Sequence, residues 1–215
     1  MSRILIESAL FSVIESILES RKNNAGVHTL GSDSRLLPTL KDHFTQIYIM
    51  STTKVPFEVI EEVSDYLESF ESADDALKVA QQFADDQPFV MSYLMARAED
   101  LKSDDTAELL LYIGNVIYLS AKKVTPSLGT MDAKTIDAAE ETFLAQMKAV
   151  SQMSEEEALS GYEPIFSAQP DLSTYLIGWV EQLSEDGEDE ESINSLYSVL
   201  QVLVNAFDLL MSKTD

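Results

Sequence analysis

The stretch QPFVMSYL, from Gln87 to Leu94, recurs as QPDLSTYL from Gln169 to Leu176. Proline suits the first turn of a helix, because its fixed φ is already helical and the N–H that it lacks would have no partner there. Each octet therefore predicts a helix start, with glutamine at the cap position and proline at the first helical position. Glutamine is a poor N-cap, so its recurrence predicts that both glutamine side chains bond to equivalent backbone groups elsewhere in the fold.

The similarity extends well beyond the octets. Ser72–Leu101 aligns with Ser154–Leu183 at a constant offset of 82 residues and with nine identities in thirty positions, whereas about two would be expected by chance. Each segment begins with a serine three residues before a carboxylate, Asp75 or Glu157, which is the capping-box arrangement at a helix start. The signature positions of the predicted repeat are Ser72, Gln87, Pro88 and Tyr93, with the counterparts Ser154, Gln169, Pro170 and Tyr175.

Apolar residues recur at helical spacing along most of the chain, as in the stripe from Ile136 to Met147. With two residues inserted, the amphipathic segment Phe57–Phe70 aligns with Asp137–Val150. We predict an all-α fold: a compact helical bundle or array made of two pseudo-repeated four-helix units plus two N-terminal helices. The predicted boundaries are 1–54 for the N-terminal helices, 55–123 for unit one, 124–131 for a linker and 132–215 for unit two.

The charge of the chain is its most unusual property. Thirty-eight Asp and Glu stand against fourteen Lys and Arg, which gives a formal net charge of −24. Such a surface repels phosphate backbones and anionic lipid, so no nucleic-acid or membrane partner is predicted. The acidity has two interpretations, adaptation to solubility or a saline environment, and recognition of a basic partner protein. The lack of cysteine and of a secretory signal pattern predicts a cytoplasmic protein without disulfides.

The sequence offers little catalytic equipment. Its two histidines, His28 and His43, do not stand in metal-binding or paired arrangements, and the phosphate-binding glycine loops and the serine nucleophile elbow are missing. Adjacent carboxylates such as Asp104 and Asp105 lie at predicted helix starts, where their negative charge interacts favourably with the positive end of the helix dipole. We therefore predict no catalytic residue, metal ligand or cofactor. A metal-dependent enzyme whose carboxylates converge only in the fold is the alternative.

Two sets of residues are candidates for interactions. Asn115 and Gln201 occupy equivalent positions in the long apolar segments and predict a polar pair between the units, with a ligand pocket at that interface as the alternative. The only tryptophan, Trp179, replaces Arg97 of the first unit. With the acidic residues that follow it, it predicts an interaction surface particular to unit two. The acidic residues of this surface are Glu185, Asp186, Glu188 and Asp189.

Together these features predict a non-enzymatic helical protein that acts by binding an unknown protein, which could be basic, or by pairing with a second copy of itself. Two other functions stay open. One is the metal-dependent enzyme described above. The other is an acidic mimic or immunity-type protein that occupies the basic cleft of its partner.

Overall fold

The computed structural model describes residues 53–150 and 169–214, and all regular structure in these ranges is helical. The helices are α1 (Phe57–Glu68), α2 (Ala73–Asp86), α3 (Pro88–Glu99), α4 (Asp104–Val124), α5 (Ala133–Val150), α6 (Pro170–Asp186) and α7 (Glu190–Met211). The prediction of an all-α fold is confirmed for these residues. Both histidines, the predicted N-terminal helices and Ser154 lie outside them, so the duplication of a four-helix unit stays a prediction.

Local chemistry explains where the helices begin and end. At the start of α2 the Ser72 hydroxyl accepts a hydrogen bond from the Asp75 N–H, which is the serine half of the predicted capping box, and it donates to the Asp75 carboxylate. Helices α3 and α6 begin at their prolines with glutamine at the cap, also as predicted. Gly187 ends α6 with a φ of 83°, a left-handed conformation that favours glycine.

Helix α7 is the centre of the fold. It packs on α4, α5 and α6, and most of its residues are buried. Helix α4 in turn contacts α1, α2 and α3, and buried side chains from all seven helices join in one hydrophobic cluster. By length and composition α7 could cross a membrane, but 78% of its apolar window is buried inside the molecule. Its apolar character is what a helix surrounded by other helices requires.

Candidate functional site

The Gln87 side chain joins the start of α3 to the segment that leads into α5. Gln87 is 1% exposed. Its Nε2 donates to the carbonyl oxygen of Gly129 at 2.7 Å, and its Oε1 accepts from the Met131 N–H at 2.8 Å. The amide thus bonds the N–H of one residue and the C=O of the residue two positions earlier, as a neighbouring strand would.

The Gln169 side chain makes the same pair of bonds at the start of α6. Its Oε1 accepts from the Val55 N–H at 2.9 Å, and its Nε2 donates to the Thr53 carbonyl oxygen at 3.1 Å and to Oδ1 of Asp208 at 2.7 Å. Val55 lies two residues before the start of α1, and Met131 lies two residues before the start of α5. The prediction of equivalent backbone partners for the two glutamines is confirmed. Each Gln-Pro helix holds the segment that leads into a helix from the opposite half of the sequence.

Two tyrosines extend this equivalence. The Tyr93 hydroxyl donates to Oε1 of Glu140 on α5 at 3.3 Å, and the Tyr175 hydroxyl shares a hydrogen bond of 3.2 Å with Oγ of Ser64 on α1. An offset of 76 residues relates Ser64 to Glu140, and it also relates the first residues of α1 and α5. The sequence alignment of Phe57–Phe70 with Asp137–Val150 is therefore wrong by four residues, about one helical turn.

The surroundings of Tyr93 are ionic. The Arg97 guanidinium lies over the Tyr93 ring, 5.2 Å from its centroid, and Nη2 of Arg97 donates to Oε1 of Glu140 at 3.0 Å. Burial of the phenol, followed by the nearby Glu140 carboxylate, raises the pKa of Tyr93 to about 12, although Arg97 opposes the shift. Tyr93 therefore keeps its proton at neutral pH and serves as a hydrogen-bond donor.

This pKa shift predicts a loss of stability at alkaline pH. Below the ordinary tyrosine pKa of 10.0, the phenol is protonated in both folded and unfolded chains and adds no pH dependence. Between pH 10 and about 12 the unfolded chain releases the proton while the folded chain retains it, so the free energy of unfolding falls as pH rises. Urea unfolding across this range, with tyrosinate absorbance recorded in parallel, measures the slope. Tyr93→Phe is expected to reduce it, and an unchanged slope would assign the pH dependence to other groups.

The surroundings of Tyr175 are aromatic. Trp179, at the position equivalent to Arg97, lies edge-on to Tyr175, with ring centroids 6.4 Å apart, and edge-on to Tyr112, with centroids 6.0 Å apart. All three rings are half-buried. We call these three residues the aromatic cluster. The Tyr112 hydroxyl donates to Oε1 of Glu68 at 3.3 Å, and burial raises the pKa of Tyr112.

The acidic residues after Trp179 divide into two groups. Glu188 accepts a hydrogen bond from the Thr106 hydroxyl at 3.2 Å, and Asp189 caps α7 by accepting from the backbone N–H groups of residues 191 and 192. The Ser192 hydroxyl, which donates to Asp189, holds the pKa of that carboxyl below its usual range. Glu185 and Asp186 are exposed at the end of α6. Two of the four acidic residues of the predicted interaction surface thus make contacts that hold helices in place.

Asn115 and Gln201 do not form the predicted pair. Nδ2 of Asn115 donates to the carbonyl oxygen of Leu111 in its own helix, and Nε2 of Gln201 donates to Oδ1 of Asn205 in its own helix. The side-chain oxygens of both amides are buried without a hydrogen-bond partner, which excludes a bond from either amide to the other. Asn205 in turn donates to Oε1 of Gln146, so this group of amides on α7 makes its polar contact with α5.

One ionic cluster lies where α2 and α4 end. The Tyr118 hydroxyl and the Lys122 ammonium both donate to Oδ2 of Asp86, and Lys122 also donates to the Tyr118 oxygen at 3.0 Å. Lys122 holds the pKa of Asp86 below its usual range, and burial raises the pKa of Tyr118. At pH 7 Asp86 is therefore ionised while Tyr118 and Lys122 keep their protons, and the cluster ties the two helices together.

The exposed side of α1 carries a row of carboxylates along the length of the helix. Its buried side presents Ile60 and Val63 to the core. Five exposed carboxylates fall on the opposite side, and we call them the acidic face: Glu58, Glu61, Glu62, Asp65 and Glu68. Lys123 of α4 pairs with one of them, Glu62. Within residues 53–150 and 169–214, no three acidic or histidine side chains are grouped so that they could hold a metal ion.

Comparison of the chain with protein-family models, with curated proteins and with solved structures finds no match. The function must therefore be inferred from the side chains of this chain itself.

Proposed function

We propose that the protein acts without catalysis, by binding a basic partner protein through the acidic face of α1. The observation that carries the proposal is the placement of five exposed carboxylates on one side of the 12-residue helix α1, in a chain with a net charge of −24. A field of one sign on one side of a molecule steers an oppositely charged partner and fixes its orientation.

The spacing within the acidic face supports recognition over solubility alone. Glu58 and Glu62, and likewise Glu61 and Asp65, are four residues apart, so like charges face each other across one helical turn. Each such pair destabilises an isolated helix by roughly 0.2–0.5 kcal/mol. Solubility needs net charge but not this spacing, because the same charges could be spread over other exposed positions. A partner that supplies lysine or arginine side chains would relieve the repulsion.

The non-catalytic part of the proposal rests on the titratable groups. Four side chains that form the ionic contacts described above have pKa values shifted away from neutrality: Asp86, Tyr93, Tyr118 and Lys122. A general acid or base needs a pKa near the working pH. The alternative of a metal-dependent enzyme finds no supporting group of ligands in the ranges that the structure describes.

A comparison of three baits tests the proposal. The first is the wild-type protein. The second carries Glu58→Lys, Glu61→Lys and Asp65→Lys on the acidic face. The third is a matched control with Glu99→Lys, Asp137→Lys and Glu181→Lys, which replace exposed carboxylates on α3, α5 and α6. Both variants change the net charge equally. We expect the wild type and the control to retain the same basic protein from a lysate of the source cells, with at least tenfold less retained by the second bait.

Equal losses with both variants would show that binding follows total charge, and retention of no common protein would remove the proposal altogether. The acidic face also suits the narrower alternative of a mimic, since its carboxylates form a single stripe. In that case duplex DNA added to the lysate should displace the captured protein from the wild-type bait, because the two ligands would share one basic cleft.

A further inference from the structure

We propose that the aromatic cluster and Glu68 bind one arginine side chain of the basic partner. This inference rests on the proposed function, because it specifies a contact that the same partner would make beside the acidic face. Trp179 thereby has a role in recognition in addition to its packing against the hydrophobic core.

The geometry of the cluster suits a cation. Trp179 is inclined by 73° to Tyr112 and by 79° to Tyr175, so the half-buried rings do not stack and present faces in different directions. Aromatic faces attract cations through their quadrupole, and arginine is the side chain most often found over them. Glu68 is exposed and is held beside Tyr112 by the hydroxyl of that ring, which places a carboxylate at the edge of the cluster.

The first half of the chain already contains such a contact, made internally. Arg97 lies over Tyr93 and bonds Glu140, so ring, guanidinium and carboxylate are all present. At the equivalent position of the second half Trp179 replaces the arginine, while the ring of the tyrosine is kept. In the described part of the chain no lysine or arginine makes a cation–π contact with the aromatic cluster, and none forms a hydrogen bond or an ion pair with Glu68. Beside Tyr175, Ser64 stands where Glu140 stands beside Tyr93, and the nearby carboxylate is that of Glu68 on α1. Within the described residues, these rings and this carboxylate have no cation between them.

Charge complementarity identifies the occupant. Glu61, Ser64 and Glu68 follow one another along a single row of α1, and Ser64 bonds Tyr175 of the cluster. The cluster thus borders the acidic face at its C-terminal end, and a partner docked on that face would reach the rings with a positively charged side chain. Arginine fits better than lysine, because its planar guanidinium can stack on a ring and bond a carboxylate at the same time.

Because Trp179 is the only tryptophan, its fluorescence reports on this site directly. The probes are a blocked hexa-arginine peptide and a blocked hexa-lysine peptide, which carry the same charge. We expect the arginine peptide to change the emission of Trp179 and to bind about fivefold more tightly than the lysine peptide at physiological salt. Glu68→Gln should remove this difference. Glu58→Gln, which removes the same charge from the other end of α1, should preserve it.

Binding of both peptides with equal affinity and without a change in Trp179 emission would overturn the inference and leave the proposed function intact. If neither peptide binds, even at low salt, the inference of an arginine site is also wrong. The comparison of the three baits tests the proposed function separately, because it does not depend on Trp179. Trp179→Ala lacks the fluorescent residue, so its binding is measured by calorimetry, and it should bind both peptides equally. If that variant does not fold, as judged by circular dichroism, the exposed Glu68→Gln substitution still gives the answer.

Discussion

Gln169→Ala is expected to reduce the free energy of unfolding by on the order of 4 kcal/mol, about twice the effect of Gln87→Ala. Both amides are buried, and both bond one backbone N–H and one backbone C=O. A buried polar group that loses its partner costs about 1–3 kcal/mol. Gln169 has a further partner in Asp208, which is 2% exposed, and a buried carboxylate that loses a donor is penalised more than a neutral group.

Urea unfolding at neutral pH measures both changes. Gln182→Ala is the matched control, because Gln182 lies on the same helix as Gln169 but is exposed, and its loss should change stability by less than about 0.5 kcal/mol. Equal effects of Gln169→Ala and Gln87→Ala would mean that the hydrogen bond from Gln169 to Asp208 does not add to the stability of the protein. If both variants lose less than about 1 kcal/mol, the bonds of the two glutamine side chains to the backbone contribute little to the stability of the fold.

The glutamines also show what a sequence can and cannot predict. Their recurrence at a position that does not favour glutamine predicts a tertiary hydrogen bond, and the structure confirms it for both. The partners themselves could not be predicted. Gln169 bonds Val55, which is 114 residues away in the chain. The sequence around a helix start does not specify which distant segment of the chain will pack against it. Asp208, the acidic partner of Gln169, was missed for the same reason.

The alignment of α1 with α5 fails for a different physical reason. An amphipathic helix repeats its apolar stripe every 3.6 residues, so a shift of four residues places apolar residues against apolar residues again. Hydrophobic pattern therefore fixes such an alignment only to within one turn. The bonds of Ser64 and Glu140 to equivalent tyrosines remove the ambiguity, since a hydrogen bond depends on one particular residue.

The candidate site was only partly visible in the sequence. Trp179 is singled out by the replacement of Arg97, but its contact with Tyr112 joins α6 to α4 and depends on how those helices cross. The amides Asn115 and Gln201 occupy aligned positions, yet each bonds within its own helix, to a group one turn away. Equivalent positions in a repeat predict similar surroundings, and they do not predict mutual contact.

Gly114→Val is expected to destabilise the protein by about 3 kcal/mol, because α3 and α4 approach closely at this residue. A Cβ atom at Gly114 would lie 2.8 Å from Cδ1 of Leu94, 3.8 Å from Cδ2 of Leu203 and 3.9 Å from Cε1 of Phe83. All three neighbours are fully buried, so there is no free space into which their side chains could move to accommodate the valine methyl groups. The few tenths of a kcal/mol that valine gains over glycine in helix propensity do not offset this crowding.

Gly178→Val is the control for the same substitution without crowding. Gly178 is an exposed glycine of α6, and a Cβ atom there would meet nothing within 4 Å. Its replacement should leave stability within about 0.5 kcal/mol of the wild type. Thermal and urea unfolding of the two variants side by side separate the cost of packing from that of helix propensity. A Gly114→Val protein as stable as Gly178→Val would show that Leu94 can move aside and that α3 does not need a glycine opposite it.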